Sequence, residues 1–399
     1  MTQTPSDRAP APRFAAASLI AVIFINMLGF GIIVPLLPFY ARSFEAQPWQ
    51  IALIFSAYSA GAFFGEPFWG RLSDRIGRKP ILISTITANC LCYLALAFAP
   101  NIWIAFLIRL AGGLAAGNGA VIQGYIADVT PPEKRARQLS YQGAAWNVGL
   151  IVGPMIGGLF AHPELGPVGF RIPLLIAGGL AFACVVAITV VIRESRVRET
   201  SFSRRASRWA AAREALGHPV TGRLILLTFL VGFAFTGIES VFGLWAQARF
   251  GWKPLDIGVA FGFVGVTAFL MQTLVTGPLS ERFGEGRMLA IGMAIMVVVC
   301  GLQVVSPSGP VTIALMCLMA AAQSVAFPNV GAMISRSTDP HRQGQIMGLN
   351  NAAGAAARVI GPLSVSLVFA AWINAPFVLA AMVVAPAILL ALSASRRAR

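Results

Sequence analysis

The sequence predicts an all-α membrane protein of twelve transmembrane helices, arranged as two similar six-helix bundles. Three observations support this prediction. The chain is 57% hydrophobic and only 11% charged, whereas about a quarter of the residues of a soluble protein are charged. Apolar runs long enough to cross a bilayer recur along the whole chain. A polar motif at Gly70–Pro80 is repeated at Gly277–Arg287, about half the chain later.

The predicted helices are the apolar runs between polar turns. In the first half they span Phe14–Tyr40, Trp49–Gly70, Pro80–Ala99, Ile102–Ala127, Leu139–Ala161 and Ile172–Ile192. In the second half they span Leu224–Ala246, Ile257–Pro278, Met288–Val305, Val311–Ser335, Gln345–Ala371 and Ala375–Leu392. We therefore predict an N-terminal bundle over residues 1–192, a linker over residues 193–223 and a C-terminal bundle over residues 224–399.

The net charge of +15 is explained by the position of the basic residues. Most of the 30 lysines and arginines fall in the termini, the linker and alternate loops, which is the positive-inside pattern of membrane proteins. This pattern predicts that both termini lie in the cytoplasm. It also accounts for the basic character without a nucleic-acid partner.

No catalytic or metal-binding cluster is evident in the sequence. The three histidines, His162, His218 and His341, lie in predicted loops, and no phosphate-binding glycine loop is present. The five cysteines lie within apolar runs and lack the spacing of a zinc site. We expect neither an enzyme nor a bound metal or cofactor.

The motif after predicted helix 2 reads Gly-Arg-Leu-Ser-Asp-Arg-Ile-Gly-Arg-Lys-Pro, and it carries more charge than a turn requires. Asp74 can accept charge-assisted hydrogen bonds from Arg78 and from free N–H groups at a nearby helix start. Asp128, at the end of predicted helix 4, is a further candidate partner. The candidate gating residues are Gly70, Asp74, Arg75, Gly77, Arg78 and Asp128. The alternative is that the basic residues only hold this turn in the cytoplasm.

Predicted helix 5 contains a run of small residues. Gly149, Gly153, Gly157 and Gly158 predict a smooth face on which another helix packs closely. Pro154 removes one backbone hydrogen bond and permits a bend. Ordinary close packing is the alternative to a role in motion.

Four charged residues lie within predicted spans: Glu66, Arg109, Glu239 and Arg358. A charge near the bilayer centre costs about 2.5–3.5 kcal/mol on insertion scales, so each should face the interior or a partner. Glu239 has apolar neighbours on both sides and is the preferred proton carrier, with Glu66 second. A structural pair with an arginine is the alternative for Glu239, and a gating or structural salt bridge is the alternative for Glu66.

Polar and aromatic side chains in the spans are candidates for lining a binding cavity. They are Asn26, Phe30, Arg109, Gln123, Trp146, Asn147, Phe242, Gln272, Asn329, Asn350, Asn351 and Arg358. Such aromatic residues give a drug-like ligand broad apolar contact. Hydrogen bonding between helices and packing against lipid are the alternatives.

These motifs resemble those of the major facilitator superfamily. Gly70–Lys79 is similar to its signature loop between helices 2 and 3, and Arg109-Leu-Ala-Gly-Gly is similar to its helix 4 arginine motif. Gly149–Gly158 is similar to its antiporter motif in helix 5, although Ser140 stands where that motif has an earlier glycine. The resemblance implies that the Asp74 cluster latches the cytoplasmic side in the outward-facing state.

Within the superfamily, Gly29–Pro38 and Arg249–Trp252 resemble the twelve-helix drug:proton antiporters, especially the tetracycline efflux proteins. Those exporters carry aspartates in helices 1, 3 and 9. The matching positions here hold Asn26, Cys92 and Met296. We therefore do not infer the substrate or the proton route of this chain from those exporters.

The resemblance implies a monomeric secondary transporter of the bacterial inner membrane, in contact with lipid. It would exchange protons for a drug-like small molecule, with a tetracycline-like compound as one candidate. A proton-coupled uptake symporter or a metabolite exporter of the same fold is the alternative. A passive receptor or scaffold would require neither the duplicated turns nor the carboxylates within spans.

Overall fold

The computed structural model describes residues 15–130, 132–195, 219–338 and 343–397, and every regular element in these ranges is helical. The described residues 15–195 are called the first half here, and residues 219–397 the second half. The helices of the first half are α1 (Ala15–Ile33), α2 (Leu37–Arg42), α3 (Pro48–Ile76), α4 (Arg78–Ala97), α5 (Ile102–Leu114), α6 (Asn118–Val129), α7 (Pro132–Phe160) and α8 (Arg171–Val191). A 3-10 helix, Pro163–Phe170, connects α7 to α8.

The second half contains seven α-helices and one π-helical turn. They are α9 (Pro219–Phe250), α10 (Pro254–Leu270), the π turn (Met271–Val275), α11 (Thr276–Phe283), α12 (Glu285–Val304), α13 (Gly309–Arg336), α14 (Gln343–Ala371) and α15 (Ala375–Arg397). Residues 219–223, predicted as the end of the linker, therefore belong to α9. Most of the predicted linker lies outside the described residues.

In the described residues, nine helical segments are long and apolar enough to cross a membrane. They correspond to predicted helices 2, 3 and 6 to 12. The other three predicted helices contain shorter apolar segments, Ala21–Ile33, Ile102–Leu114 and Asn147–Phe160. A total of twelve spans and a cytoplasmic location of the termini remain predictions.

Predicted helices 1 and 4, like predicted helix 8 with its π turn, are interrupted although they were predicted to be continuous. Predicted helix 1 is divided into α1 and α2 by turn residues around Pro35, which has no N–H to continue the helical ladder. Predicted helix 4 is divided into α5 and α6 at Ala115–Gly117. At this break Trp69 donates a hydrogen bond from Nε1 to the carbonyl oxygen of Leu114 over 2.7 Å. A Cβ on Gly117 would overlap the Trp69 side chain, so this close approach requires glycine.

The predicted connector at Gly70–Pro80 is almost entirely helical. Helix α3 continues to Ile76 and α4 begins at Arg78, which leaves Gly77 as the single residue between them. Gly77 has a backbone φ of 110°, which residues with a Cβ atom rarely adopt. Gly284 occupies the same place between α11 and α12, with φ 85°.

The helices pair in the same way within each half. In the first half α1 packs on α7 and α8, α3 on α5, and α4 on α8. In the second half α9 packs on α14 and α15, α10 on α13, and α12 on α15. The repeat seen in the sequence is therefore also a repeat in packing.

The two halves meet mainly through α7 against α10 and α3 against α14. We call the end where α3 meets α4 the linker end, because Glu194, just after α8, contacts it. The opposite end carries the start of α10 and the end of α7. The closest contacts of α7 with α10 begin there: a Cβ on Gly158 would lie 2.5 Å from the carbonyl oxygen of Pro254, and one on Gly258 2.5 Å from that of Pro154.

Candidate functional site

Arg78 joins three side chains at the linker end of the first half. Its Nη2 lies 2.9 Å from Oδ1 of Asp74, and its Nε lies 3.1 Å from Oδ2 of Asp128. Its Nη1 donates a hydrogen bond to Oγ of Ser73 over 2.6 Å. Arg78 itself is only 7% exposed, so the two acids neutralise a charge that is largely removed from water. The structure thus brings together three of the predicted gating residues.

The free N–H groups at the start of α4 are bound by an acid other than Asp74. The backbone N–H groups of Arg78 and Lys79, at the start of α4, donate to the two carboxylate oxygens of Glu194 over 2.8 and 3.0 Å. A carboxylate at this position satisfies free N–H groups and interacts favourably with the helix dipole. Glu194 was not singled out in the sequence, where its only signal is its place as the first acid after an apolar run.

Neighbouring groups hold Glu194 and Arg78 in place. Ser195 donates a hydrogen bond from Oγ to Oδ2 of Asp128 over 3.3 Å. Tyr125 donates its phenolic O–H to the carbonyl oxygen of Arg193 over 3.0 Å. The Arg78 guanidinium passes directly over Gly124, where a Cβ would lie 2.5 Å from its Cζ. The first residues of the linker are thereby attached to α4 and α6.

The remaining three predicted gating residues flank this cluster. Gly70 lies within α3, and its carbonyl oxygen accepts a hydrogen bond from Ser73 Oγ over 2.8 Å. Arg75 is exposed in the last turn of α3. Gly77 adjoins Glu194, since a Cβ on Gly77 would overlap that carboxylate.

The small residues of α7 form two packing faces rather than the single one predicted. Gly149, Gly153 and Gly157 lie against α1, where a Cβ on Gly153 would be 2.7 Å from the Cα of Gly31. Gly158 faces the start of α10 instead, as does the carbonyl group of Pro154. Because α7 contacts α1 of its own half and α10 of the other half, a movement of α7 would act on both.

The smooth surface that meets α7 from the second half is a glycine stripe on α10. Gly258, Gly262 and Gly265 face Pro154, Met155 and Ile151 respectively. This stripe was missed in the sequence, although its four- and three-residue spacing is typical of close helix packing in membranes.

Three charged residues of the predicted spans lie on helices that pack against one another. The charge of Arg358 on α14 acts on Glu239 of α9 and also on Glu66 of α3. Arg358 and Glu66 are exposed, and Glu239 is half-buried. Helix α14 packs against both α3 and α9, so Arg358 belongs to the helix that adjoins the acid-bearing helix of each half. Sequence reasoning placed Glu66 beside the gate and did not connect it to Arg358.

Arg109 lies deeper in the first half, next to a small cavity. Its Cζ is 4.7 Å from the centre of the Tyr58 ring, and Asn89, Cys92 and Tyr93 line the same cavity. Arg109 is 6% exposed. Among the described residues, Nε of Arg109 and Oδ1 of Asn89 are buried without a hydrogen-bond partner. A cavity of this polarity is suited to a bridging water.

Tyr58 connects Arg109 to the central charges. Its phenol interacts electrostatically with Arg109, Glu66 and Arg358, and its ring lies 5.6 Å from that of Phe30 on α1. The four charged residues predicted in the spans therefore act on one another electrostatically, either directly or through Tyr58.

Two predicted cavity residues join the halves directly. Asn147 of α7 donates a hydrogen bond from Nδ2 to Oε1 of Gln272 over 2.9 Å. Gln272 lies in the π turn, which breaks the regular ladder between α10 and α11. Such turns are frequent at functional sites because they reorient side chains. Predicted helix 8, expected to be regular, is therefore interrupted at a candidate binding residue.

The other candidate binding residues are dispersed. Asn350 accepts a hydrogen bond from Thr228 Oγ1 over 2.6 Å, and Asn329 donates one to the carbonyl oxygen of Val325 over 2.7 Å. Phe242 is buried and packs on Trp245, Trp252 and Phe261. Asn26 is buried, whereas Gln123 and Asn351 are exposed. The side chain of Trp146 lies outside the described residues.

Three comparisons relate the chain to known proteins. A family model described as Major Facilitator Superfamily matches residues 19–276 and 224–399. The chain is 29% identical to the tetracycline resistance protein, class C, of Escherichia coli over 358 residues, 88% of this chain and 89% of that protein. It is 26% identical to multidrug resistance protein 2 of Bacillus subtilis (strain 168) over 371 residues, 92% of this chain and 91% of that protein.

A solved structure shares the fold over almost the whole length. It is a bacterial homolog of the human lysosomal transporter Spinster in an inward-facing and occupied conformation. The TM-score is 0.78 at 15% identity, over 97% of each chain.

Proposed function

From the premise that this chain belongs to the major facilitator superfamily, we propose that it exports a drug-like small molecule in exchange for protons. The protein is a multi-pass integral membrane protein of the bacterial inner membrane, and a transporter rather than an enzyme. Tetracyclines are the first compounds to consider, since relatives over most of the chain are tetracycline and multidrug resistance proteins.

The observation that carries the proposal is that α14, which bears Arg358, packs against both α3 with Glu66 and α9 with Glu239, so that the charge of Arg358 acts on both acids. A proton-driven carrier needs an acid that titrates inside the membrane and whose surroundings change as the two halves move. Glu239 lies in the same half as Arg358, whereas Glu66 belongs to the other half. Movement of α3 relative to α14 would change the distance of Glu66 from Arg358 and so change the charge that acts on Glu239.

The conformation fits alternating access around this centre. The close contacts of α7 with α10 are concentrated toward the opposite end, and Ser56, in the first third of α3, donates a hydrogen bond to the carbonyl oxygen of Val359 over 2.9 Å. We propose that this state is closed at the opposite end and open at the linker end. With twelve spans and cytoplasmic termini, the linker end would face the cytoplasm, where an exporter loads its substrate.

Drug susceptibility tests the proposed export. A pump-deficient bacterium with this gene should grow at higher concentrations of at least one compound in a panel that includes tetracyclines. Unchanged susceptibility across the panel, with the protein present in the membrane, would contradict export of drug-like molecules. For the experiment on proton coupling described next, vesicles from cells that lack the gene serve as the control.

Proton coupling is tested in everted membrane vesicles with an acidified lumen. Adding the exported compound should release protons from the lumen, because each molecule that enters is exchanged for protons. Transport that persists after the proton gradient is collapsed, with no other ion gradient present, would rule out this coupling. Proton-linked movement in the other direction would instead favour the uptake symporter.

A further inference from the structure

A buried positive charge of the first half has no acid beside it among the described residues. Arg109 of α5 is 6% exposed, and it forms no ion pair in the part of the chain that the structure describes. The groups that act on its charge are those of Tyr93, Tyr58 and Cys92, two phenols and a thiol that carry no charge at neutral pH. A guanidinium stays protonated in proteins, and a buried charge without a partner is costly. The charge of Arg109 thus requires a partner that the described residues do not supply.

The cavity beside this guanidinium is rich in hydrogen-bond donors. The polar residues that line it are Arg109, Tyr58, Asn89, Cys92 and Tyr93. Guanidinium N–H, amide N–H, phenol O–H and thiol S–H groups all act as donors. Of the described residues that line the cavity, none is an acid. A fixed positive charge surrounded by donors suits an anion and not a cation.

Two buried atoms at this cavity lack a hydrogen-bond partner among the described residues, namely Nε of Arg109 and Oδ1 of Asn89. Asn89 is 3% exposed. The Nε group is a donor, so its partner must be an acceptor such as water or an anion. A half-turn of the Asn89 amide exchanges its oxygen with its nitrogen and presents a second donor to the cavity. A bridging water satisfies both atoms but leaves the charge of Arg109 unpaired, whereas an anion satisfies the donors and the charge together.

The walls of the cavity leave room for a small ion only. The guanidinium of Arg109 lies over the Tyr58 ring, with its Cζ 4.7 Å from the ring centre, which closes one side. On another side, a Cβ on Gly112 would lie 3.5 Å from Cβ of Cys92 and 3.7 Å from Oδ1 of Asn89. Glycine at position 112 therefore keeps open a space that a single methyl group would occupy. A drug-sized molecule is excluded by these walls.

We propose that the cavity beside Arg109 is a binding site for a monovalent anion of the size of chloride. The anion accepts hydrogen bonds from Nε of Arg109 and from the turned amide of Asn89. It serves as the counter-ion of the buried guanidinium, in place of a carboxylate of the protein. The site does not depend on the proposed transport function, because binding of the anion requires no turnover.

Melting temperatures of the purified full-length protein test the site. Replacing gluconate stepwise by chloride at constant ionic strength should raise the melting temperature by about 3 °C and then reach a plateau, since a ligand that binds only the folded state stabilises it. Bromide should act like chloride, whereas gluconate is too large for the cavity. Arg109→Met should remove the response to chloride. Arg42→Met, at an exposed position, should retain the response and is the control for an unspecific effect of salt.

Two changes at position 92 test whether charge decides the binding. Cys92→Asp should supply the missing carboxylate, so this variant should melt at a higher temperature than the wild type in gluconate and should no longer respond to chloride. Cys92→Ser keeps a small uncharged donor and should respond like the wild type.

Two results would overturn the site. A wild-type melting temperature that does not change with chloride would show that the cavity holds water only. An undiminished chloride response in both Arg109→Met and Cys92→Asp would place the bound chloride elsewhere on the protein. A protein that binds chloride in this way but transports no compound would contradict the proposed function and leave the anion site in place.

Discussion

Asn147 and Gln272 form a hydrogen bond of 2.9 Å between α7 of the first half and the π turn of the second. It lies beyond the glycine stripe of α10, on the side toward the linker end. These two amides form a polar contact between the halves on the linker side of the closely packed glycine contacts. Relative motion of the halves must therefore change this contact.

We expect a disulfide at this place to stop transport. In the variant Asn147→Cys/Gln272→Cys, oxidation should join the two halves, and reduction should restore the rate. Mass spectrometry of the peptides measures the cross-link, and vesicle uptake measures transport. The matched pair Asn147→Cys/Thr273→Cys uses the next residue of the same turn and should cross-link far less. A cross-linked protein that transports at the rate of the reduced one would contradict motion at this contact.

Asp74→Asn should reduce transport at least tenfold while the amount of protein in the membrane stays near normal. The change removes one of the two charges that neutralise Arg78, which is largely buried. Uptake in vesicles, normalised to the amount of protein, measures the effect. Arg71→Gln, an exposed residue on the same helix, is the control. Full activity of both Asp74→Asn and Arg78→Ala would show that the Gly70–Pro80 motif only sets the orientation of the chain in the membrane.

Glu194→Ala should destabilise the start of α4 by about 1 kcal/mol, because two backbone N–H groups lose their carboxylate acceptor. We expect a lower melting temperature of the purified protein and a lower transport rate. Glu164→Ala changes an exposed acid at the opposite end and should leave both unchanged. An unaltered melting temperature of Glu194→Ala would show that the N–H groups of Arg78 and Lys79 find another acceptor without loss of stability.

Glu239→Gln should abolish uphill transport and retain exchange of substrate across the membrane. The amide resembles the protonated carboxyl group but cannot release a proton. Counterflow of labelled substrate and proton release are the two measurements. Glu45→Gln, in an exposed turn at the opposite end, should behave as wild type. If Glu239→Gln pumps uphill at the normal rate, the proton carrier is another acid, and Glu66 is the next residue to test.

Arg109→Met should abolish transport without lowering the melting temperature. The buried Nε of Arg109 has no hydrogen-bond partner among the described residues, and replacing buried charged groups by apolar groups of similar volume is often neutral or stabilising. Arg42→Met, at an exposed position, is the control for removal of a positive charge. A strong loss of stability in Arg109→Met would identify this arginine as a structural element.

The sequence alone determined the class of the protein and part of the charge cluster around Arg78. The length of the apolar runs and the low fraction of charged residues predict membrane helices. Inside a bilayer the backbone must satisfy its own hydrogen bonds, and a helix does so within one segment. The duplicated motif indicates two similar halves, and opposite charges at short spacing predict the pair of Asp74 with Arg78. The resemblance to the major facilitator superfamily rests on these same local patterns, and the family match bears it out.

The tertiary structure decided which distant residues meet. Glu194, far from the motif in the chain, supplies the carboxylate at the start of α4, and the charge of Arg358 acts on Glu239 and Glu66 of two other helices. The breaks at Pro35, at Gly117 and in the π turn also depend on packing. Local patterns fix periodicity and charge, whereas the partner of a buried charge is fixed by helices that meet only after the chain has folded.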